Sequence, residues 1–242
     1  MGGSRVQYDA IVVGSGISGG WAVKELAEQG LNVLVLERGR KLTHTEYPTE
    51  NKDPWQFPHR MRLSLDDKQQ HPVQSRHWSF QEDNKHYYIN DLDNPYEEIR
   101  RFDWIRGDIL GGRSLLWSRA CYRWSDLDFT ANQREGIGID WPIRYRDIAP
   151  WYDHVEAFIG VSGQAEGIPH LPDGLFQPPF EMNAAEKFFK QRVEEKYPGR
   201  KVIMGRTANL TLPLPGRALC QSRNSCQRGC SFGAYFSTLS ST

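Results

Sequence analysis

Tyr8-Asp9-Ala10-Ile11-Val12-Val13-Gly14-Ser15-Gly16-Ile17-Ser18-Gly19 is the stretch whose reading decides the fold of this 242-residue chain. Its first half is a short apolar run, rich in β-branched residues and ending at glycine, which predicts a buried strand. Its second half is a Gly-x-Gly-x-x-Gly turn. A helix is predicted next, through Trp21, Ala22, Leu26 and Ala27, with Gly30 closing it just past its end. Asn32-Val33-Leu34-Val35-Leu36 predicts a second strand that finishes at Glu37. Strand, helix and strand within about thirty residues make a βαβ unit.

Each glycine of the turn has a distinct physical task. Gly14 permits the sharp exit from the strand, Gly16 lets backbone touch a pyrophosphate, and Gly19 allows close helix–strand packing. The helix N-terminus offers free amides and the positive end of the aligned peptide dipoles to a phosphate. Glu37 lies 21 residues beyond Gly16. A carboxylate there can accept from both adenosine ribose hydroxyls and repels a 2′-phosphate. Glycines, flanking strands, helix and acid together predict nucleotide binding, where the glycines alone would only suggest a turn.

Composition narrows the remaining classes. Thirty basic residues balance 30 acidic ones, so nothing predicts nucleic acid or an anionic membrane as partner. Apolar content is 38%, and 22 glycines with 14 prolines predict much irregular structure. Aromatics reach 12%, with eight tryptophans, enough for stacking surfaces as well as core. No apolar run approaches membrane-spanning length. Met1 to Arg5 lead straight into the first strand without a signal peptide. Gly2 does not complete a myristoylation pattern, because position 6 is Val6 rather than Ser or Thr. The compartment stays open between cytoplasm and a periplasm reached with a signal-bearing partner.

Beyond Glu37 the pattern changes. A nicotinamide enzyme would continue with another helix and a third parallel strand. Residues 40–100 are instead polar, aperiodic and interrupted by Pro48, Pro54, Pro58, Pro72 and Pro95. Loops of that length are uncommon unless functional, and flavoproteins interrupt the nucleotide fold in this way, which favours FAD over NAD. A second glycine-rich segment follows, Arg106-Gly107-Asp108-Ile109-Leu110-Gly111-Gly112-Arg113-Ser114, whose amides can serve ligand oxygens or simply form a tight turn. Asp147 or Pro150 is expected to begin a helix carrying Trp151, Val155, Ala157 and Phe158. Asn183 through Lys196 reads as an amphipathic helix with Ala184, Phe188, Phe189 and Val193 inward, and Val202-Ile203-Met204 as a short strand.

Three of the four cysteines form the pattern Cys220-x5-Cys226-x3-Cys230. A mononuclear zinc site wants four ligands, and the nearest histidine, His170, is fifty residues away. Clustered thiolates suit an iron–sulfur cluster, while a disulfide with a spare thiol fits the same spacing. Spacing leaves both open. Cys121 stands apart and is read as packed core.

Over essentially its whole length the chain resembles the glucose–methanol–choline (GMC) oxidoreductases. The resemblance is carried by Gly14 to Gly20, by Glu37-Arg38-Gly39, and by Gly111-Gly112-Arg113-Ser114-Leu115-Leu116-Trp117. Trp141-Pro142-Ile143 with Tyr145, Asp147-Ile148 and Pro150-Trp151-Tyr152 completes it. The cysteine pattern, followed by Gly233-Ala234-Tyr235, is similar to bacterial sugar dehydrogenases of that family with a [3Fe–4S] cluster. The resemblance implies a doubly wound, Rossmann-like FAD domain of α/β class, interrupted by long loops and incomplete at its C-terminus. FAD would be met by Gly14, Ser15, Gly16, Ser18, Gly19, Glu37, Arg38, Gly111, Gly112, Ser114, Trp117 and Ser118. Some family members attach FAD covalently through a histidine where this chain has Leu116, so FAD is expected to be noncovalent. Cys220, Cys226 and Cys230 would ligate the cluster. A sugar or polyol would be the substrate, and a cytochrome-type protein the acceptor, with room for a small accessory subunit.

The family's proton-abstracting histidine matches none of His44, His59, His71, His77, His86, His154 or His170, which are read as surface or packing residues. The chain is expected to be the N-terminal half of a longer enzyme, poorly folded alone, with its catalytic histidine and substrate-domain sheet lying beyond residue 242. Its expected parts are the βαβ unit at 1–40, an irregular insertion at 41–105 and a flavin-contacting segment at 106–160. A cap or substrate-domain portion at 161–219 and a cysteine loop at 220–233 follow. Two rivals compete: a nicotinamide-dependent reductase with a structural disulfide, and a non-catalytic flavin or metal electron-transfer module.

Overall fold

A computed structural model describes residues 6–48, 50, 52–224 and 226–241; the reading of Met1 to Arg5 lies outside them. The chain divides into two compact units. The first comprises residues 1–118, 222–233 and 237–242, and the second comprises 119–221 and 234–236. The segment expected at 106–160 is thus divided after Ser118, and the cysteine loop expected at 220–233 is divided after Gln221.

In the first unit, strand β1 (Ala10–Val13) leads into helix α1 (Ile17–Glu28) and returns as β2 (Val33–Leu36). The strands are parallel, with Ala10 opposite Val33 and Val13 opposite Leu36. Gly30 takes the left-handed conformation beyond the helix (φ +86°), as a C-terminal stop requires. The expected burial of β1 holds on one face only. Successive side chains alternate across a strand, so Val12 turns toward α1 while Ile11 and Val13 remain 62% and 80% exposed.

The main apolar cluster of this unit comes from the irregular stretch rather than from β1. Leu42, Tyr47, Phe80, Tyr87 and Tyr88 pack with Ile109, Leu115 and Leu116 of the second glycine-rich segment, and Leu63, Ile105 and Leu239 lie against them. Each fully buried large apolar side chain stabilises by about 1.5–3 kcal/mol. The stretch itself is a series of 3₁₀ turns with one short helix, α2 (Leu65–Gln70). It is irregular in backbone and ordered in its packing.

The second unit carries α3 (Asp126–Phe129), α4 (Ala131–Glu135), α5 (Tyr145–Ile159) and α6 (Ala184–Lys196). Helix α5 starts two residues ahead of Asp147, because the Asp147 carboxylate accepts the Arg144 amide at 2.7 Å and so caps the first turn. Pro150 lies inside the helix, beyond the first-position site that suits proline. A buried Arg123 donates to Glu156 from two nitrogens (2.9 and 2.6 Å) and to Asp153 (2.5 Å), tying its segment to α5.

Two expectations fail here. Phe188 and Phe189 are 63% and 60% exposed, and no residue of α6 is buried; helical spacing gives their phase but not a neighbour to cover them. Val202-Ile203-Met204 forms no strand. Its backbone is met by side chains, with Lys190 donating to the Val202 carbonyl at 2.9 Å. Among the described residues no helix is long and apolar enough to cross a membrane.

Candidate dinucleotide site

The turn after β1 departs in the left-handed region at Gly14 (φ +86°), a conformation that side chains disfavour. Its amide still reaches the Leu36 carbonyl at 2.8 Å, extending the β1–β2 ladder by one bond. Gly16 stands at the N-cap of α1, with no side chain capping the helix and no acid in the first turn. The leading amides of α1 are therefore left for an anion. A side-chain carbon at Gly19 would lie 1.9 Å from the Gly14 carbonyl oxygen, so α1 seats directly on the turn. At Gly16 such a carbon would meet nothing within 4 Å. That empty space beside bare amides is where a diphosphate fits.

Glu37 holds this turn from the end of β2. Its carboxylate accepts the Ser15 amide at 2.7 Å, the Ser15 hydroxyl at 2.6 Å and the Gly39 amide at 2.6 Å. Burial pushes the carboxyl pKa up, but the hydrogen bonds from Ser15 and Gly39 outweigh it and leave the group below its ordinary value. The acid expected to meet the adenosine ribose is thus already engaged by the turn. It clamps the end of β2 to the turn that leaves β1.

The second glycine-rich segment lies against the first. The Gly111 amide donates to Ser15 Oγ at 2.8 Å, and a side-chain carbon at Gly112 would stand 3.5 Å from Gly16 Cα. Gly111 and Gly112 both have positive φ (84° and 52°). Ser114 is buried and spends its hydroxyl on the Gly111 carbonyl at 2.6 Å. Ser18 and Ser118 are exposed, and Trp117 is half-buried. Arg38 points away to Asp108 (3.2 Å) and Asn94 (3.3 Å). The structure therefore gathers Gly14, Ser15, Gly16, Gly19, Glu37, Gly111, Gly112 and Ser114.

Thr238 joins them. Its hydroxyl lies 2.8 Å from the Ser15 carbonyl, 2.9 Å from Ser114 Oγ and 3.3 Å from the Gly111 carbonyl, and its amide donates to Ser114 Oγ at 3.0 Å. No sequence signal singles out Thr238, because it reaches these partners across more than a hundred residues.

Cys226 opens a 3₁₀ turn (Cys226–Arg228) in the first unit, where Cys230 also lies, whereas Cys220 belongs to the second. All four cysteines are half-buried. Among the described residues no group of three His, Cys, Asp or Glu side chains could hold a metal.

The 226–230 loop is anchored by other means. Buried Arg228 pairs with buried Asp83 and donates to Gln81, while Tyr87 Oη and Asn84 Nδ2 donate to the carbonyls of Arg228 (2.8 Å) and Gln227 (3.2 Å). A side-chain carbon at Gly229 would enter the Tyr47 ring, at 2.3 Å. Burial, then the charges of Cys230 and Glu50, push the Tyr47 phenol up to about 12. In the second unit, burial pushes the Cys121 thiol up to about 12.

These features define a class first: the N-terminal part of the chain is a Rossmann-like dinucleotide-binding domain. Residues 12–75 match the family described as NAD(P)-binding Rossmann-like domain. Among individual proteins, the chain is 28% identical over 172 residues to 2-methyl-1,2-propanediol dehydrogenase of Mycolicibacterium austroafricanum, covering 70% of this chain and 27% of that protein. It is 24% identical over 250 residues to the fructose dehydrogenase large subunit of Gluconobacter japonicus (98% and 43%). It is 30% identical over 174 residues to the gluconate 2-dehydrogenase flavoprotein of Pantoea cypripedii (66% and 26%). The chain thus spans less than half the length of each of these relatives.

Proposed function

We propose that this chain is the FAD-binding part of a GMC-type dehydrogenase that oxidises a sugar or polyol hydroxyl to a carbonyl. The observation that carries the reading is the apposition of two glycine-rich segments, with Gly111 bonded to Ser15 and Gly112 against Gly16. One such turn serves a diphosphate; a second beside it supplies amides for the remainder of a larger dinucleotide. The dehydrogenase names of the three relatives, one of them a flavoprotein, support the same reading.

When bound, FAD supplies the hydride acceptor. The residues of this chain bind and orient it. The first amides of α1 stabilise the diphosphate charge, Glu37 orients the adenosine ribose, and Gly111 and Gly112 bring backbone close to the ligand. No residue of this chain is assigned the general base that takes the hydroxyl proton.

The finer part of the proposal is an electron exit at Cys220, Cys226 and Cys230 toward a cytochrome-type acceptor. It rests on the cysteine spacing and on family resemblance, and it requires Cys220 to join the other two thiols. Iron and acid-labile sulfide assays on wild type and Cys226→Ser test it. Iron present in wild type and lost in the variant, with FAD retained, supports the exit; no iron in wild type removes it and leaves the flavin reading intact.

A nicotinamide-dependent reductase is the second reading, favoured by the description of the family that residues 12–75 match. Parallel titrations with FAD and NADH distinguish the two. Tight FAD binding without NADH binding supports the first; the reverse replaces it.

A further inference from the structure

We propose that Thr238 is a positioning residue for the dinucleotide: its single hydroxyl sets the spacing of the two glycine-rich segments. The proposal rests on the FAD reading above and goes beyond it, because Thr238 belongs to neither glycine motif.

Ser15 Oγ donates to Glu37 and accepts the Gly111 amide, so its single proton is already committed. Ser114 Oγ donates to the Gly111 carbonyl and accepts the Thr238 amide. The Ser15 carbonyl belongs to the first turn, and the Gly111 carbonyl to the second. The Thr238 hydroxyl proton reaches toward both, at 2.8 and 3.3 Å, and Ser114 Oγ lies 2.9 Å away. Ser15, Ser114 and Thr238 are all buried, so water does not replace a lost bond cheaply.

Packing repeats the message. A side-chain carbon at Gly20 would lie 2.6 Å from Thr238 Cγ2, so the threonine methyl fills the space that Gly20 leaves on α1. The hydroxyl ties the two segments together while the methyl seats the residue against the helix that follows the first of them. A ligand laid across both segments is gripped only when their separation is right. By reciprocity, a ligand that fixes that separation also orders the 237–241 segment.

The test uses the full chain, freed of flavin and titrated with FAD by fluorescence quenching, as wild type, Thr238→Val and Thr238→Ser. Valine keeps the shape and loses the hydroxyl; serine keeps the hydroxyl and loses the methyl. The expected result is FAD affinity weakened about tenfold or more in Thr238→Val and within about threefold of wild type in Thr238→Ser. Wild-type affinity in the valine variant, or equal loss in both, overturns the proposal. Failure of wild type to bind FAD overturns the underlying reading instead, and the proposal with it. Should Thr238→Val not fold, hydrogen exchange of residues 237–241 in wild type decides. Slower exchange with FAD supports the coupling, and unchanged exchange overturns it.

Discussion

Glu37 accepts both the amide and the hydroxyl of Ser15, at 2.7 and 2.6 Å, across 22 residues of chain. The end of β2 thereby holds the turn that leaves β1. The acid at this position is a structural clamp before any nucleotide arrives, and its chemistry predicts a pH dependence.

The folded-state pKa of Glu37 lies below its ordinary value, because the hydrogen bonds from Ser15 and Gly39 outweigh burial. Its contribution to stability is therefore present above the ordinary carboxylate range and is lost as pH falls through the depressed folded value. Denaturant melts of wild type and Glu37→Gln between neutral pH and about pH 3 check this. The wild-type advantage should shrink on acidification; a constant difference at all pH values contradicts the assignment.

Gly16 and Gly19 should separate binding from folding. Gly19→Ala drives a carbon toward the Gly14 carbonyl and should cost about 1–3 kcal/mol, the range of overpacked sites. Gly16→Ala meets no protein atom within 4 Å and should melt like wild type. It should nevertheless bind dinucleotide far more weakly, because the new methyl occupies the diphosphate's space. Thermal melts paired with FAD titration read both effects.

Arg228 should govern the cysteine loop. Arg228→Met leaves Asp83 as a buried, unpaired carboxylate, a change that costs about 3–5 kcal/mol in comparable buried pairs. The loop should loosen, so Cys226 and Cys230 react faster with a thiol reagent than in wild type. Unaltered alkylation rates would show that Gly229, Tyr47 and Asn84 suffice to hold it.

The parts of this molecule that were legible in the sequence are those made by local rules. Gly14, Gly16, Gly19, Gly30 and Glu37 fall where turn geometry and helix termination need them, all within one βαβ unit. The core contributed by Tyr47, Phe80, Tyr87 and Tyr88 was hidden, since their spacing follows 3₁₀ turns and loops and has no period to detect. Phe188 and Phe189 show the converse: helical spacing sets a common face but cannot supply a partner for it. Thr238 and Arg228 reach partners 124 and 145 residues away, and no local pattern announces such bonds. The cysteine triad is legible only as a spacing, with Cys220 in one compact unit and Cys226 and Cys230 in the other.

The most direct test of the account is the absorption spectrum of the purified chain after incubation with FAD and removal of excess ligand. Retained, resolved flavin bands that are lost in Gly16→Ala are the predicted result. A colourless protein that instead binds NADH would contradict it.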